Sequence, residues 1–147
     1  MRKKYLVVFL TAIAIIILDQ LSKFLVKINF NLNESVPVMG EIFHLTYIHN
    51  FGAGFGILQN QRILLVIISI AVAAFIFYYA KKVKEEETLL QLLLGFVLGG
   101  TIGNLIDRIF LGYVTDFFDF MIWPVFNIAD SFVTIGIIGL VIYFWRK

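Results

Sequence analysis

No cysteine occurs anywhere in the 147 residues, which excludes disulfides, a thiolate nucleophile and any thiolate metal site. Charge is scarce as well. Only 15% of the residues are charged against 61% hydrophobic, and a mean hydropathy of +0.93 is far too apolar for a water-soluble domain of this length. The net charge of +2 is small and its cations sit at the edges of apolar runs, which leaves no nucleic-acid footprint. Histidine is limited to His44 and His49, whose odd spacing puts them on opposite faces of a strand, so no metal centre is expected. One absence raises a question. No Lys, Arg or His lies between Arg108 and Arg146, yet Asp116, Asp119 and Asp130 fall in that apolar stretch, and buried carboxylates without cations are costly.

What the chain does have is long apolar runs. Four of them, approximately 5–26, 63–80, 89–110 and 125–145, come close to the roughly 20 residues that cross a bilayer core of about 30 Å as a helix. The expectation is an all-α membrane protein, one integral domain over residues 1–147 built as a four-transmembrane-helix bundle. The first run resembles a cleavable leader, but Asp19-Gln20-Leu21-Ser22-Lys23 stands where small residues would be needed, so a retained span is expected. With the N-terminus inside, Arg2, Lys3, Lys4, Lys81, Lys82, Lys84, Arg146 and Lys147 are cytoplasmic, eight of the twelve basic residues, and both termini end there. Lys23, Lys27, Arg62 and Arg108 oppose the rule and are expected to snorkel to the outer headgroups.

The outer connection, about 28–61, carries alternating β-formers around Phe43, Leu45 and Tyr47, the pattern of a strand, and a small extracytoplasmic sheet on the membrane surface is expected. Gly52, Gly54 and Gly56 follow it and allow tight turns. The inner connection, Lys81 to Glu87, reads as a solvated charged turn. Pro124 marks the expected start of the last helix.

Helix rise then assigns each polar residue a depth. Asp19, Asn104, Asp107, Arg108, Asn127 and Asp130 all fall in the outer third of the spans, where Asn50 and Asp116 can join them. A charge near the middle of a span costs about 2.5–3.5 kcal/mol and less toward the ends, so several at one depth need a reason. Asp107 reads as structural, with Arg108 able to neutralise it or a nearby carboxylate, and Gly95, Gly99 and Gly103 form overlapping small-residue patterns that let another helix approach. Asp116 and Asp130 differ, because no cation adjoins either. Brought together, two carboxylates share a proton, one acting as general base on water while its protonated partner polarises an amide carbonyl. That is the chemistry of aspartic proteases. Asp119 is the rival to Asp116, although its aromatic neighbours Phe118 and Phe120 suit a headgroup position. Ser22 and Lys23 are adjacent on a helix and point about 100° apart, which prevents a serine–lysine dyad. Two other classes stay open: a small membrane carrier or proton-relay protein using its intramembrane carboxylates, and a structural scaffold.

Taken together, Asp19-Gln20-Leu21-Ser22-Lys23, Asn50 to Gly56, Gly99 to Arg108, Val114-Thr115-Asp116-Phe117 and Phe126-Asn127-Ile128-Ala129-Asp130 resemble the five motifs of the lipoprotein signal peptidases (signal peptidase II), in order along the chain. The resemblance implies an intramembrane aspartic endopeptidase of the bacterial cytoplasmic membrane, with four helices and a β-cradle. Such an enzyme removes the signal peptide of prolipoproteins just before a diacylglyceryl-modified Cys, without a cofactor, and is blocked by the cyclic peptide globomycin. It implies catalytic roles for Asp116 and Asp130, dyad-orienting or substrate-binding roles for Asn50, Asn104, Arg108 and Asn127, and supporting roles for Asp19, Lys23 and Gly52. Gly54 departs from the family pattern, which has Ala there. The expected partners are the lipid-modified substrate and membrane lipids, the expected state is a monomer, and the substrate helix is expected to enter along the glycine-lined third span.

Overall fold

In the computed structural model, which describes residues 3–54 and 57–147, the order of elements is α1 (Lys3–Asn29), β1 (Ser35–Met39), β2 (Phe43–Asn50), α2 (Arg62–Ala80), α3 (Thr88–Phe110), β3 (Val114–Asp119) and α4 (Ile128–Trp145). Arg2, Phe55 and Gly56, to which the sequence assigns a cytoplasmic cation and part of a glycine-rich turn, lie outside the described residues, as do the side chains of Lys3 and Lys4. The architecture is that of a membrane protein: among the described residues, four helices are long and apolar enough to span a bilayer, with a three-stranded antiparallel sheet in the order β1-β2-β3. Large apolar side chains such as Ile63, Phe75 and Val141 are exposed on the helices, the surface expected where the surrounding solvent is hydrocarbon.

α3 is the central helix. Of its most apolar window 61% is buried, against 22%, 22% and 11% for α1, α2 and α4. Glycine makes this possible. A Cβ at Gly95 would sit 2.7 Å from Thr11 Cβ, one at Gly99 2.8 Å from the Ala12 carbonyl oxygen, and one at Gly103 2.6 Å from Asp19 Oδ2. The glycine line is therefore pressed against α1 along its length. Gly100 turns the opposite way, where a Cβ would strike the Ala129 carbonyl oxygen of α4. Val8, Ala12, Leu90, Leu94 and Leu98 fill the core between these helices.

The third strand is the element that the apolar pattern alone did not reveal. Its sequence, Val-Thr-Asp-Phe-Phe-Asp, does not alternate cleanly, and its partner β2 lies far away in the chain. β3 pairs Asn50 with Val114, His49 with Thr115 and Ile48 with Asp116, then shifts register before Leu45 meets Phe118. Beyond it the chain folds back, and Phe126 exchanges hydrogen bonds with Phe118 (3.0 and 2.8 Å). The sheet rests on the end of α1 through Val26, Tyr47 and Phe117.

Several expectations are corrected. α4 begins at Ile128, not near Pro124, because Asn127 is its N-cap: the Asn127 side chain accepts from Asp130 N while the Asp130 side chain accepts from Asn127 N, a reciprocal capping box. The connection before α3 is not merely solvated. Val83 is buried, Gln91 donates to the carbonyls of Lys84 and Glu85 (2.8 and 3.2 Å), and Glu87 accepts from Tyr143 Oη and Lys147 Nζ. Arg62 does not merely reach outward; it donates to the carbonyls of Arg108 (2.7 Å) and Ile109 (2.9 Å), filling acceptors that the end of α3 leaves open.

Overpacking the α1–α3 contact tests this arrangement. Gly99→Val is expected to cost about 1–3 kcal/mol and lower the Tm of the detergent-solubilised protein. Gly54→Ala, where an added Cβ meets nothing within 4 Å, is expected to leave it unchanged. Equal melting of the two variants would contradict the close packing of α3 on α1.

Candidate active site

The site grows from a buried ammonium. Lys23, late on α1, is only 1% exposed, so it does not snorkel as its position suggested. Its Nζ lies 2.8 Å from Asp19 Oδ2 and 3.1 Å from Asp107 Oδ2, and it donates to Asn104 Oδ1 at 3.0 Å. Two carboxylates and one amide thus share the cation, and Asp107 is neutralised by Lys23 rather than by Arg108. Gln20 completes the group, its Nε2 reaching Asp19 Oδ2 (3.1 Å), Asp107 Oδ1 (3.1 Å) and the Gly103 carbonyl (3.2 Å). Asp19 Oδ1 accepts the Ala129 backbone N–H at 3.0 Å, one of the donors the first turn of α4 leaves unpaired. Asp107 Oδ2 accepts the Thr115 N–H at 3.0 Å. α1 and α3 are in this way tied to the start of α4 and to β3.

Above this group stand Asp116 and Asp130, and among the described residues the groups that hydrogen-bond to them are all neutral. Asp116 Oδ1 accepts from Asn127 Nδ2 (2.7 Å) and its Oδ2 from Asn50 Nδ2 (2.9 Å). Asp130 Oδ1 accepts from Asn104 Nδ2 (2.7 Å) and its Oδ2 from the Asn127 backbone N–H (3.3 Å). Asn127 is therefore common to both carboxyls. Each asparagine is itself aimed. Asn104 Oδ1 receives Lys23 Nζ and also Asn127 Nδ2 (3.1 Å), which turns its own nitrogen toward Asp130. Asn50 Oδ1 receives the Gly52 N–H (2.9 Å), which turns its nitrogen toward Asp116. The Asn50–Asp116 contact is a diagonal across the β2–β3 pair, so the third strand is what brings Asp116 into place.

Electrostatics follow from this packing. Asp116 is fully buried. Burial pushes its carboxyl up to about 7, with the Asp130 charge adding to the rise and the amides of Asn50 and Asn127 opposing it. Asp130 instead lines a cavity of about 480 Å³, together with Asn50, Asn104 and Arg108 and an apolar wall from Trp123, Phe126, Val133 and Ile135. Arg108 donates to the Gly52 carbonyl at 3.1 Å, which ties the segment after β2 to α3. Gly52 is required there, because a Cβ would sit 2.8 Å from the Ile57 carbonyl oxygen.

The structure thus joins Asp116, Asp130, Asn50, Asn104 and Asn127 in one hydrogen-bonded network, sets Arg108 on the same cavity, and holds Lys23, Asp19 and Gly52 behind them. Asp119 goes elsewhere: it accepts from Thr46 Oγ1 and the Met121 N–H, both at 2.8 Å. Ser22 Oγ donates to the Asp19 carbonyl and Ser131 Oγ to the Asn127 carbonyl, so neither hydroxyl has a basic partner. Sequence reasoning missed Gln20 and the apolar wall. For Gln20 the signal was its position beside Asp19, since an amide next to a buried carboxylate is a ready donor. The glycine line of α3 faces α1, so the expected route for a substrate helix along it is closed; the cavity opens instead beside α4.

The profile of the family described as "Signal peptidase (SPase) II" matches residues 11–146. The chain belongs to the signal peptidase II family. Among relatives named lipoprotein signal peptidase, that of Halothermothrix orenii is 44% identical over 140 residues, 95% of this chain and 96% of its own. That of Moorella thermoacetica is 47% identical over 131 residues, 89% and 87% of the two chains. A solved bacterial membrane enzyme, determined by the in meso method at 2.3 Å, superposes with a TM-score of 0.90 at 31% identity, covering 95% of this chain and 87% of that one. A second such structure, at 1.9 Å, gives 0.86 at 30%, with coverage of 95% and 93%. Signal peptidase II is a protease, and membership in its family supports cleavage of prolipoprotein signal peptides.

Removing the buried ammonium tests the scaffold of the site. Lys23→Met strands Asp19 and Asp107 without a cation and is expected to cost about 3–5 kcal/mol, read as a fall in thermal or denaturant stability in detergent. Asn127→Ala, which removes the α4 cap, is expected to cost about 1 kcal/mol. A Lys23→Met protein as stable as its parent would show that the ammonium is not the keystone of this network.

Proposed function

We propose that Asp116 and Asp130 are the catalytic dyad of an endopeptidase that cuts diacylglyceryl-modified prolipoproteins on the N-terminal side of the modified Cys. One observation carries this reading: the four oxygens of the two carboxyls are each met by a neutral N–H donor, and among the described residues neither aspartate forms an ion pair. A structural carboxylate in an apolar bundle is stabilised by a cation, as Asp19 and Asp107 are by Lys23. A pair left without one, of which Asp130 lines a cavity and Asp116 is buried behind it, keeps the capacity to hold and pass a proton.

In the proposed reaction the pair carries one proton. The ionised carboxylate takes a proton from water as its oxygen attacks the scissile carbonyl carbon, while the protonated partner donates to the carbonyl oxygen. As the tetrahedral intermediate collapses, the carboxyl that took the water proton delivers it to the departing amine, the C–N bond breaks, and a hydroxyl of the intermediate returns its proton to the partner carboxylate, which restores the singly protonated pair. Asn50, Asn104 and Asn127 orient the carboxyls, Arg108 and Gly52 shape the substrate cleft, and no covalent intermediate forms. The termini and the Lys81–Lys84 turn face the cytoplasm, which puts the sheet and the dyad at the extracytoplasmic face of the bacterial membrane. Lys23, one of the four cations that oppose this orientation, is neutralised inside the bundle. The site also lies at one end of the helices, where a lipid-anchored substrate presents its peptide bond; a carrier would place its carboxylates near the midplane. The apolar signal helix packs beside α4.

Incubating the purified protein with a diacylglyceryl-modified prolipoprotein is expected to give a mass shift corresponding to loss of the signal peptide. The unmodified precursor should be spared, and globomycin should block the reaction. Asp116→Asn and Asp130→Asn are each expected to lower kcat by at least roughly 10²–10⁴-fold in protein that remains folded and membrane-inserted; undiminished cleavage in either variant would overturn the dyad.

The pH profile provides a second test. With the Asp116 carboxyl raised to about 7, kcat/KM is expected to fall as pH climbs through that region, because the pair loses its remaining proton and with it the acid. It is expected to fall again on the acidic side, where protonation of the second carboxyl removes the base. A rate that rises steadily from pH 7 to 9 would contradict a shared proton.

A further inference from the structure

The catalytic cavity has a neighbour. A second hollow of about 280 Å³ is lined by Ile48, His49 and Gln59, and it shares Asn50, Gly54, Pro124 and Val125 with the first. The two meet at a neck built from the segment around Asn50 and Gly54 and from the β3–α4 connection. Their linings differ in origin. α3 and α4 supply much of the first, whereas the second, among the described residues, takes none from the four helices. Asn50 stands at the neck, and its nitrogen donates to Asp116.

We propose that this second hollow is a subsite for the residues following the modified cysteine, the first residues of the mature lipoprotein, bound as an extended peptide. This rests on the functional reading above. The two products have different destinations. On cleavage the signal helix is apolar and stays with the bilayer beside α4, while the mature chain is bound for water and must leave away from the spans. Across the neck, the hollow continues the catalytic cavity in that direction.

Its chemistry suits a peptide better than an acyl chain. An extended peptide presents both an N–H and a C=O at each residue, and the Gln59 amide offers both a donor and an acceptor. His49 supplies a wall that needs little ordering on binding. Its ring is stacked on Tyr113, with centroids 3.6 Å apart and planes at 18°, and its Nε2 lies 2.9 Å from Tyr47 Oη. At Gly54 the neck has open space, since an added Cβ there meets nothing within 4 Å. A mature chain laid through the neck would pass over Asn50 and so over the group that holds Asp116.

Two synthetic substrates test this, both carrying the signal peptide and the diacylglyceryl-Cys. One ends at the Cys as its carboxamide and the other continues for five mature residues. With the wild-type enzyme the longer substrate is expected to show a kcat/KM about tenfold higher, and Gln59→Ala is expected to remove most of that advantage while leaving the short substrate's rate unchanged. Equal kcat/KM for the two substrates with the wild type would overturn the subsite and leave the peptidase standing, as would a Gln59→Ala loss equal for both. Failure of the wild type to cut either substrate before the Cys would overturn the functional reading, and the subsite with it.

Discussion

One buried ammonium anchors the site. Lys23 Nζ, held between Asp19 and Asp107, also donates to Asn104, and that donation decides which end of the Asn104 amide faces Asp130. A buried cation shared among acceptors on two helices is costly to dehydrate and costlier to leave unpaired, so its partners have little freedom. Asp19 in turn accepts from the first turn of α4, and Asp107 from the backbone of β3. The helix and the strand that carry Asp130 and Asp116 are therefore fixed to the same ion pair, although neither aspartate bonds to it.

This separation of labour explains why the two acidic groups of the region differ. Asp19 and Asp107 have their charge compensated directly and are bound to serve structure. Among the described residues, Asp116 and Asp130 receive only amide and backbone donors, which hold the geometry of a carboxyl without fixing its protonation state. Asparagine is well suited to this role, because its nitrogen orients a carboxylate while its oxygen can be locked from behind, by Lys23 at Asn104 and by the Gly52 N–H at Asn50. On the proposed reading, catalysis needs groups that are rigid in position and free in charge, and this packing supplies both.

Much of the fold could be read from the sequence because bilayer-length apolar runs are a strong, local signal. The separateness of Asp116 and Asp130 could be read because no cation stood near them, and the five motifs carried the resemblance to the family. What escaped depended on contacts between distant residues. β3 lacks clean alternation and finds its partner in β2 only through the fold. Lys23 read as a snorkelling side chain because Asp107, on another helix, is invisible from α1. The glycine line announced a close approach but not its partner, which proved to be α1, closing a route that had looked open. The start of α4 was misplaced at Pro124, although Asn127 followed three residues later by Asp130 is the spacing of a capping box. The proline is a weaker start signal than this cap, whose two members also serve the site.

The proposed chemistry requires that two carboxyls at the membrane edge behave as one titrating unit. Difference infrared spectroscopy on protein labelled with ¹³C at the aspartate carboxyls reads this without any substrate. The expected result is a protonated carboxyl band that persists toward neutral pH in the parent and whose midpoint moves when either Asp116 or Asp130 is replaced by Asn. Bands that titrate separately in the ordinary carboxylate range, each indifferent to replacement of the other residue, would contradict it.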